Sequence, residues 1–281
     1  MIHSQVNVLA ELLEAAAEQT SERRVITPLA ELERMAASMP PPRRLAGALR
    51  APGLGVIAEL KPRSPIAGAL TENYDPVSRA RQYTAGGASA LSVLTHTAGF
   101  GGCPEDLATV RLASHLPIIR KDFITDEYQV TEARAFGADA LLLIVSALSR
   151  EKLGELLRVT WRWGMEAIVE VHTANEADIA VAAGARVIGV NHRDLRTFSL
   201  DLTLIERLLD RVGPDRVLVA ESGIRSAQDA ERLRISGADA VLVGEMLMRA
   251  GDPESAVREL AEITAPPRPR PWAAWRSPRA W

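Results

Sequence analysis

The chain has 281 residues, 47% of them hydrophobic, which is enough for one sizeable core in one or two domains. The formal net charge of −3 provides no basic field for nucleic acid, and a single cysteine excludes an internal disulfide. The first residues lack the basic region and apolar core of a signal peptide, and no apolar run reaches the roughly 20 residues of a membrane span. We therefore expect a soluble cytoplasmic protein.

The first fifty residues have a helical pattern. Residues 5–18 and 28–37 show the apolar spacing of amphipathic helices, and residues 43–50 could form a third helix after a run of prolines at 40–42. We expect residues 1–50 to form a helical extension that packs on the following domain.

From about residue 55 onward, eight short apolar runs alternate with helix-period stretches, several of which end in Gly before the next run. The runs are residues 55–60, 90–95, 116–121, 138–145, 166–171, 185–190, 216–221 and 238–244. Asp75-Pro76 and Ser226 are typical of helix starts. Eight βα units predict an α/β fold, a (β/α)8 TIM barrel over residues 51–265. A doubly wound open sheet has the same local signals, but its usual Gly-rich first turn is missing here.

The last segment, residues 266–281, is rich in Pro, Arg and Trp and has no periodicity. Its composition predicts a disordered tail, because it can bury little apolar surface. A docking segment that uses Trp272, Trp275 and Trp281 is the alternative.

Ionisable residues follow several of the predicted strands. The chain has three lysines, and two of them, Lys61 and Lys121, stand directly at strand ends. A partly buried lysine can lose its proton, whereas arginine stays charged. Other polar residues at strand ends are Glu59, Ser92, Glu170, Asn191, Arg193, Glu221 and Ser222.

In a barrel these positions converge on one mouth, where carboxylates and lysines in a water-poor cavity acquire different pKa values. Each residue alone could serve a structural ion pair or a cap. Together they indicate a functional site, because burial of unpaired charge costs several kcal/mol.

A phosphate site is also indicated. Gly223 and Gly244 follow the seventh and eighth strands, where backbone N–H groups can approach an anion, and Ser64 could donate a hydroxyl. Ordinary turn geometry is the alternative, and it explains one such glycine easily but the paired arrangement less well. The stretch Phe100-Gly101-Gly102 is either a mobile loop over the mouth or a simple turn.

Several segments occur in the order of a known family. They are IAELKPRSP (57–65), LSVLT with FGG (91–102), IIRKDFITDEYQ (118–129), IVEVHT (168–173), IGVNHRDLRTF (188–198), AESGI (220–224) and LVGEMLM (242–248). On these segments, residues 30–262 resemble indole-3-glycerol-phosphate synthase, a tryptophan-pathway barrel.

The resemblance implies conversion of 1-(2-carboxyphenylamino)-1-deoxyribulose 5-phosphate to indole-3-glycerol phosphate, CO2 and water, without cofactor or metal. By similarity, Lys121 is the general acid and Glu170 its partner carboxylate. Lys61 and Glu59 would contact the substrate carboxylate and take part in dehydration, and which lysine serves which proton transfer stays open. The resemblance assigns the remaining residues as follows: Asn191, Arg193, Glu221 and Ser222 orient the substrate; Ser64, Gly223, Gly244 and the amide of Glu245 hold the phosphate; Phe100, Phe123, Leu142 and Leu242 line the anthranilate pocket. A monomer or weak homodimer is expected.

The chain departs from the family pattern at five positions, which are Ile66-Ala67, His96, Cys103 and His192. These departures are compatible with slower turnover, or with a ring-substituted substrate in specialised metabolism.

Three other functions stay open at this point. Another phosphosugar barrel, such as phosphoribosylanthranilate isomerase, relies on a Cys and an Asp. A Schiff-base aldolase would use Lys121 as its nucleophile. A non-catalytic barrel would act as a scaffold through its tail.

Overall fold

The computed structural model describes residues 8–65, 67–194 and 199–270. Its strands are β1 (Gly55–Leu60), β2 (Arg63–Ser64), β3 (Gly68–Ala69), β4 (Ala90–Leu94), β5 (Ile118–Lys121), β6 (Ala140–Ile144), β7 (Glu166–Val171), β8 (Val187–Asn191), β9 (Val217–Glu221) and β10 (Ala240–Val243). Its α-helices are α1 (Val8–Ile26), α2 (Leu29–Ser38), α3 (Leu45–Leu49), α4 (Pro76–Ala85), α5 (Asp106–Ala113), α6 (Glu127–Ala135), α7 (Arg150–Arg162), α8 (Ala174–Ala182), α9 (Leu204–Leu208), α10 (Ala227–Ile235), α11 (Glu245–Arg249) and α12 (Pro253–Ala261). A 3₁₀ helix covers Val145–Ala147. In the described part of the chain, every helix is too short or too polar to cross a membrane.

Eight of these strands, all parallel, close into a barrel in the order β1-β10-β9-β8-β7-β6-β5-β4. The pair β2-β3 is a small antiparallel hairpin in the loop after β1. Closure confirms the predicted (β/α)8 fold and rules out an open doubly wound sheet, which would leave two edge strands. It also brings all eight carboxyl ends of the barrel strands to one mouth.

Successive side chains of each barrel strand belong to two different apolar cores, one inside the barrel and one between the strands and the surrounding helices. On β1, Val56 and Ala58 pack outward against the helices, whereas Ile57 points into the barrel. The same alternation on β5 directs Ile119 and Lys121 inward and Arg120 outward, because successive side chains of a strand point to opposite faces.

Side chains cap several helices at their predicted starts. The Asp75 carboxylate accepts hydrogen bonds from the amides of Val77 and Ser78, and Pro76 occupies the first turn of α4. The Ser226 hydroxyl accepts from the amide of Asp229 at the start of α10. These caps satisfy amides that have no partner within the helix, which explains why the sequence signals located both helix starts.

The N-terminal helices form the predicted extension and pack on the barrel. Leu45 and Leu49 of α3 join the apolar cluster inside the barrel, and the amide of Ala46 donates to Glu166 at the start of β7 over 3.0 Å. Helix α3 therefore closes the base of the barrel. Helix α2 packs on α6, where Leu32 contacts the cluster that contains Tyr128.

Helix α1 is longer than the predicted segment of residues 5–18, since it continues to Ile26. Its last turns contact α6, where Arg23 Nε lies 2.7 Å from Glu132 Oε1 and Arg24 Nη2 lies 2.6 Å from Asp126 Oδ1. These partners are about a hundred residues away in the chain, so the local pattern around Thr20 held no sign of them.

The start of the C-terminal segment lies against the barrel base. The amide of Arg268 donates to the carbonyl of Ile235 over 3.1 Å, and Arg270 Nη2 lies 2.5 Å from Asp239 Oδ2. The tryptophans at 272, 275 and 281 lie outside the described residues, so the prediction of a disordered tail stays a prediction.

Outside the barrel wall, Arg120 is the centre of a fully buried ionic cluster. Its Nη2 lies 2.9 Å from Asp122 Oδ2 and its Nη1 lies 2.8 Å from Glu132 Oε2. Its Nε donates to the Thr95 hydroxyl over 3.1 Å. Burial alone lowers the pKa of Arg120, but the two carboxylates outweigh burial and raise it, so the cluster stays charged.

Replacement of Arg120 by Met should destabilise the protein strongly, because Glu132 and Asp122 would be left buried without their main partner. We expect the free energy of unfolding, measured by urea denaturation, to fall by about 3–5 kcal/mol. As a control, Arg258→Met removes an exposed pair with Glu254 and should change it by about 0.5 kcal/mol at most. Equal losses in the two variants would contradict a structural role for the cluster.

Candidate active site

The barrel mouth contains a cavity of about 510 Å³, a size suited to a small-molecule ligand. Every catalytic and binding residue predicted from the sequence lines this cavity. These residues are Glu59, Lys61, Ser64, Phe100, Lys121, Phe123, Leu142, Glu170, Asn191, Arg193, Glu221, Ser222, Gly223, Leu242, Gly244 and Glu245. Ser92 is a different case, since it is fully buried beside Glu59, and Leu94 lines the cavity at the end of its strand.

Lys121 stands between two buried carboxylates at the end of β5. Its Nζ lies 2.6 Å from Glu221 Oε2 and 3.6 Å from Glu170 Oε2. Glu221 and Glu170 are 1% and 2% exposed, so water screens these charges little. A second pair lies across the mouth, where Lys61 Nζ is 2.9 Å from Glu59 Oε1.

Two lysines thus face three carboxylates at the strand ends. Burial alone lowers the pKa of Lys121, but Glu221, Glu170 and Glu59 together raise it above its ordinary value. Burial raises the pKa of Glu221 to about 7, and Glu170 adds to this effect while Lys121 opposes it. Burial also acts to raise the pKa of Glu59, but Lys61 and Lys121 outweigh burial and lower it. Glu221 is therefore a carboxyl of this site that exchanges its proton near neutral pH.

Asn191 holds the Glu170 side of the site in one orientation. Its Nδ2 donates to Glu170 Oε1 over 3.1 Å, and its Oδ1 accepts from the amide of Arg193 over 3.0 Å. Because the backbone amide can only donate, it determines which end of the Asn191 side chain faces Glu170.

Two glycines leave the space that the carboxylates occupy. A Cβ atom at Gly189 on β8 would overlap Glu221 Oε1, and one at Gly244 would overlap Glu59 Oε1. Gly244 was predicted as a phosphate residue only, and no role was predicted for Gly189. Each carboxylate thus occupies space that a side chain would fill, at Gly189 on β8 for Glu221 and at Gly244 directly after β10 for Glu59.

Aromatic residues form one wall of the cavity. The rings of Phe100 and Phe123 lie 6.2 Å apart between centroids, and the His96 ring meets Phe123 edge-on at 5.0 Å. His96 is fully buried, and its Nδ1 lies 3.4 Å from Asp122 Oδ1. His96, which departs from the family pattern, therefore packs against the buried side of this aromatic wall.

The loop after β9 begins with two consecutive residues of positive φ. Ser222 has a φ of 67° and Gly223 a φ of 83°, and Ser222 is the one non-glycine residue with positive φ in the described ranges. Such a conformation costs free energy in a residue with a side chain. His192 holds this turn, because its amide and its Nδ1 both contact the carbonyl of Glu221, at 3.0 Å and 2.8 Å.

Two further departures, Ala67 and Cys103, do not line the cavity. Ile66 lies outside the described residues. Burial and the neighbouring Asp106 raise the pKa of the Cys103 thiol to about 11, which does not suit a thiolate nucleophile. Within the described ranges, no group of three or more His, Cys, Asp and Glu side chains is arranged to hold a metal ion.

The cavity also includes residues that sequence reasoning missed. Helix α1 contributes Val8, Leu9 and Leu12, the loop after β9 contributes Arg225, and helix α11 contributes Arg249. The apolar periodicity of the first helix could have indicated a buried face, but not that this face covers the mouth.

Comparisons with known proteins identify the family of the chain. A profile of the family described as indole-3-glycerol phosphate synthase matches residues 9–260. The chain is 58% identical over 253 residues to indole-3-glycerol phosphate synthase 2 of Streptomyces coelicolor, which covers 90% of this chain and 98% of the relative. It is 47% identical over 269 residues to indole-3-glycerol phosphate synthase of Mycolicibacterium smegmatis, covering 95% of this chain and 99% of the relative.

Solved structures resemble the chain in fold alone. Thiamine phosphate pyrophosphorylase from Pyrococcus furiosus has a TM-score of 0.58 at 20% identity and covers 77% of this chain and 96% of its own. The 3-hexulose-6-phosphate synthase from Salmonella typhimurium has a TM-score of 0.61 at 13% identity and covers 75% of this chain and 98% of its own. The family match and the curated relatives confirm the resemblance drawn from the sequence, and the chain belongs to the indole-3-glycerol phosphate synthase family.

Proposed function

We propose that this chain converts 1-(2-carboxyphenylamino)-1-deoxyribulose 5-phosphate to indole-3-glycerol phosphate, CO2 and water in tryptophan biosynthesis. The observation that carries the proposal is the Lys121 ammonium held between Glu221 and Glu170, within a cavity that has an aromatic wall. Ring closure needs an acid at the carbonyl oxygen, and this ammonium is the acid best placed to supply the proton.

Lys121 acts as the general acid in ring closure. The ring carbon of the anthranilate attacks the C2 carbonyl of the ribulose, and the oxygen takes a proton from Lys121 as the new C–C bond forms. The surrounding carboxylates raise the pKa of Lys121 and keep it protonated before the reaction. They also stabilise the positive charge that develops on the substrate amine.

Glu170 is the partner carboxylate on the substrate side. It lies close enough to Lys121 to return a proton to it or to accept one from the substrate. Loss of CO2 restores the aromatic ring, and dehydration of the former carbonyl carbon then gives the indole. Lys61 and Glu59 lie at the region of the substrate carboxylate and take part in this dehydration.

The two ends of the cavity bring the reacting atoms together. Phe100, Phe123, Leu142 and Leu242 hold the anthranilate ring. At the other end, the amides after Ser222 and Gly244 and the Ser64 hydroxyl hold the phosphate. With both ends of a flexible substrate held, ring closure becomes a problem of orientation, which binding energy can solve.

Replacement of Lys121 by Ala should lower kcat by at least about 100-fold, because the acid is lost. Binding should persist through the phosphate and aromatic contacts. The assay is indole fluorescence after mixing protein and substrate without metal. Lys152→Ala is the matched control, since Lys152 lies on the outer surface of α7 and pairs with Glu155. A Lys121→Ala variant with near-wild-type turnover would disprove the assigned role.

The same assay separates the alternatives. Borohydride in the presence of substrate should trap no adduct on Lys121, whereas a Schiff-base aldolase would be trapped. A folded wild-type protein that gives no indole from this substrate, but gives a product from ring-substituted analogues, would favour the specialised alternative. The aromatic wall beside His96 is where such a substituent would lie.

Replacement of Gly189 by Ala should lower kcat by about 10-fold or more, because the new methyl group would displace the Glu221 carboxylate. The variant should keep its fold, which circular dichroism and the thermal midpoint can test. Gly154→Ala is the control, since a Cβ there meets only the end of the Arg158 side chain at 3.5 Å. Wild-type turnover in Gly189→Ala would show that the position of Glu221 is unimportant.

The pH dependence should report the Glu221 carboxyl. Because its pKa is raised to about 7, kcat/KM should increase through neutral pH as Glu221 ionises and pairs with Lys121. Lys121 itself should stay protonated throughout, so we expect no decline caused by its deprotonation below about pH 10. In Glu221→Gln the limb near neutral pH should vanish, whereas Glu155→Gln on the outer surface should leave the profile unchanged. An identical limb in Glu221→Gln would assign it to another group.

A further inference from the structure

His172 lies between the active site and helix α8, directly after β7, and its side chain is 14% exposed. Its Nδ1 lies 3.3 Å from Glu176 Oε2, and its amide donates to the same oxygen over 2.8 Å. Its Nε2 lies 3.4 Å from Glu170 Oε1. The ring therefore connects a carboxylate of α8 with a carboxylate of the site.

Both ring nitrogens face oxygens that cannot donate a hydrogen bond. An ionised carboxylate only accepts, so each nitrogen needs its own hydrogen to avoid a repulsive contact. His172 Nε2 is buried and has no hydrogen-bond partner within the described residues. Donation toward Glu170 requires the protonated ring, and shortening of this 3.4 Å contact would complete the bond.

Other charges around the ring favour the protonated form. Burial alone lowers the pKa of His172, but the hydrogen bond to Glu176 and the charge of Glu170 outweigh burial and raise it. Glu221 on β9 acts in the same sense. Lys121 on β5 lies beyond Glu170, and the adjacent 3₁₀ helix, Val145–Ala147, has no titratable side chain.

We propose that His172 is a positioning residue, anchored at Nδ1 by Glu176 and directed at Glu170 Oε1 through Nε2. The proposal rests on the proposed function of the site, in which Glu170 transfers a proton. His172 and Asn191 hold one oxygen of Glu170, and the other oxygen stays free for Lys121 and the substrate.

Two variants separate geometry from charge. His172→Leu removes both the donor that orients Glu170 and the positive charge. It should lower kcat by about 10-fold with KM nearly unchanged, because Glu170 acts in the chemical step. His172→Gln keeps a neutral donor and should restore most of kcat at high pH. In both variants the rising limb of the pH profile should move upward by about one pH unit, because Glu221, which gives this limb, loses a nearby positive charge.

A matched pair on α8 tests the anchor. Glu176→Gln should lower the pKa of His172, measured by NMR titration of its imidazole in the full-length protein. Asp178→Asn on the same helix, which breaks only an exposed pair with Arg211, should not. The proposal is overturned if the pH profile of His172→Gln superimposes on that of the wild type, or if Glu176→Gln leaves the His172 pKa unchanged. Absence of wild-type turnover would instead count against the proposed function, and the NMR titration would still test the anchor.

Discussion

The site depends on one constraint, which is that three carboxylates and two lysines share a buried cavity with little water. Burial and the repulsion between neighbouring carboxylates both oppose ionisation in such a cavity. Burial and Glu170 accordingly raise the pKa of Glu221 to about 7, although Lys121 opposes this shift. A site with one exchangeable proton beside a firmly protonated lysine can deliver protons and take them back, which a fully balanced ion pair does less readily.

The barrel solves a second problem by directing neighbouring charges to opposite faces. Arg120 and Lys121 are adjacent on β5, yet Arg120 belongs to a closed outer cluster and Lys121 faces the cavity. In the outer cluster every charge has a close partner, and these ion pairs connect α1 and α6 to the barrel wall. The inner group contains Glu221, a carboxyl that exchanges its proton near neutral pH. The strand alternation thus separates a stabilising ion cluster from a reactive one across a single peptide bond.

Much of this arrangement could be predicted from the chain itself. Strand ends are readable from apolar runs, and in a closed barrel they must meet, so residues as far apart as Glu59 and Glu221 could be placed in one cavity. Contacts that depend on three-dimensional neighbours could not be predicted. The last turns of α1 contact α6 through the ion pair between Arg23 and Glu132. The need for glycine at position 189 follows from the position of the Glu221 carboxylate. His172 stood in a matched segment but had no role until its distance from Glu170 was known.

Fold alone would not have led to this chemistry, since barrels named for quite different reactions share the architecture at 13–20% identity. What distinguishes this chain is the set of side chains at the strand ends. A phosphate loop and an apolar wall suit many phosphosugar ligands. A lysine held between two buried glutamates suits a reaction that must protonate an oxygen and later remove protons nearby. Thirty of the 33 basic residues are arginine, so a lysine at this position is an exception within the chain. An arginine in place of Lys121 could bind the oxygen, but it could not give up its proton.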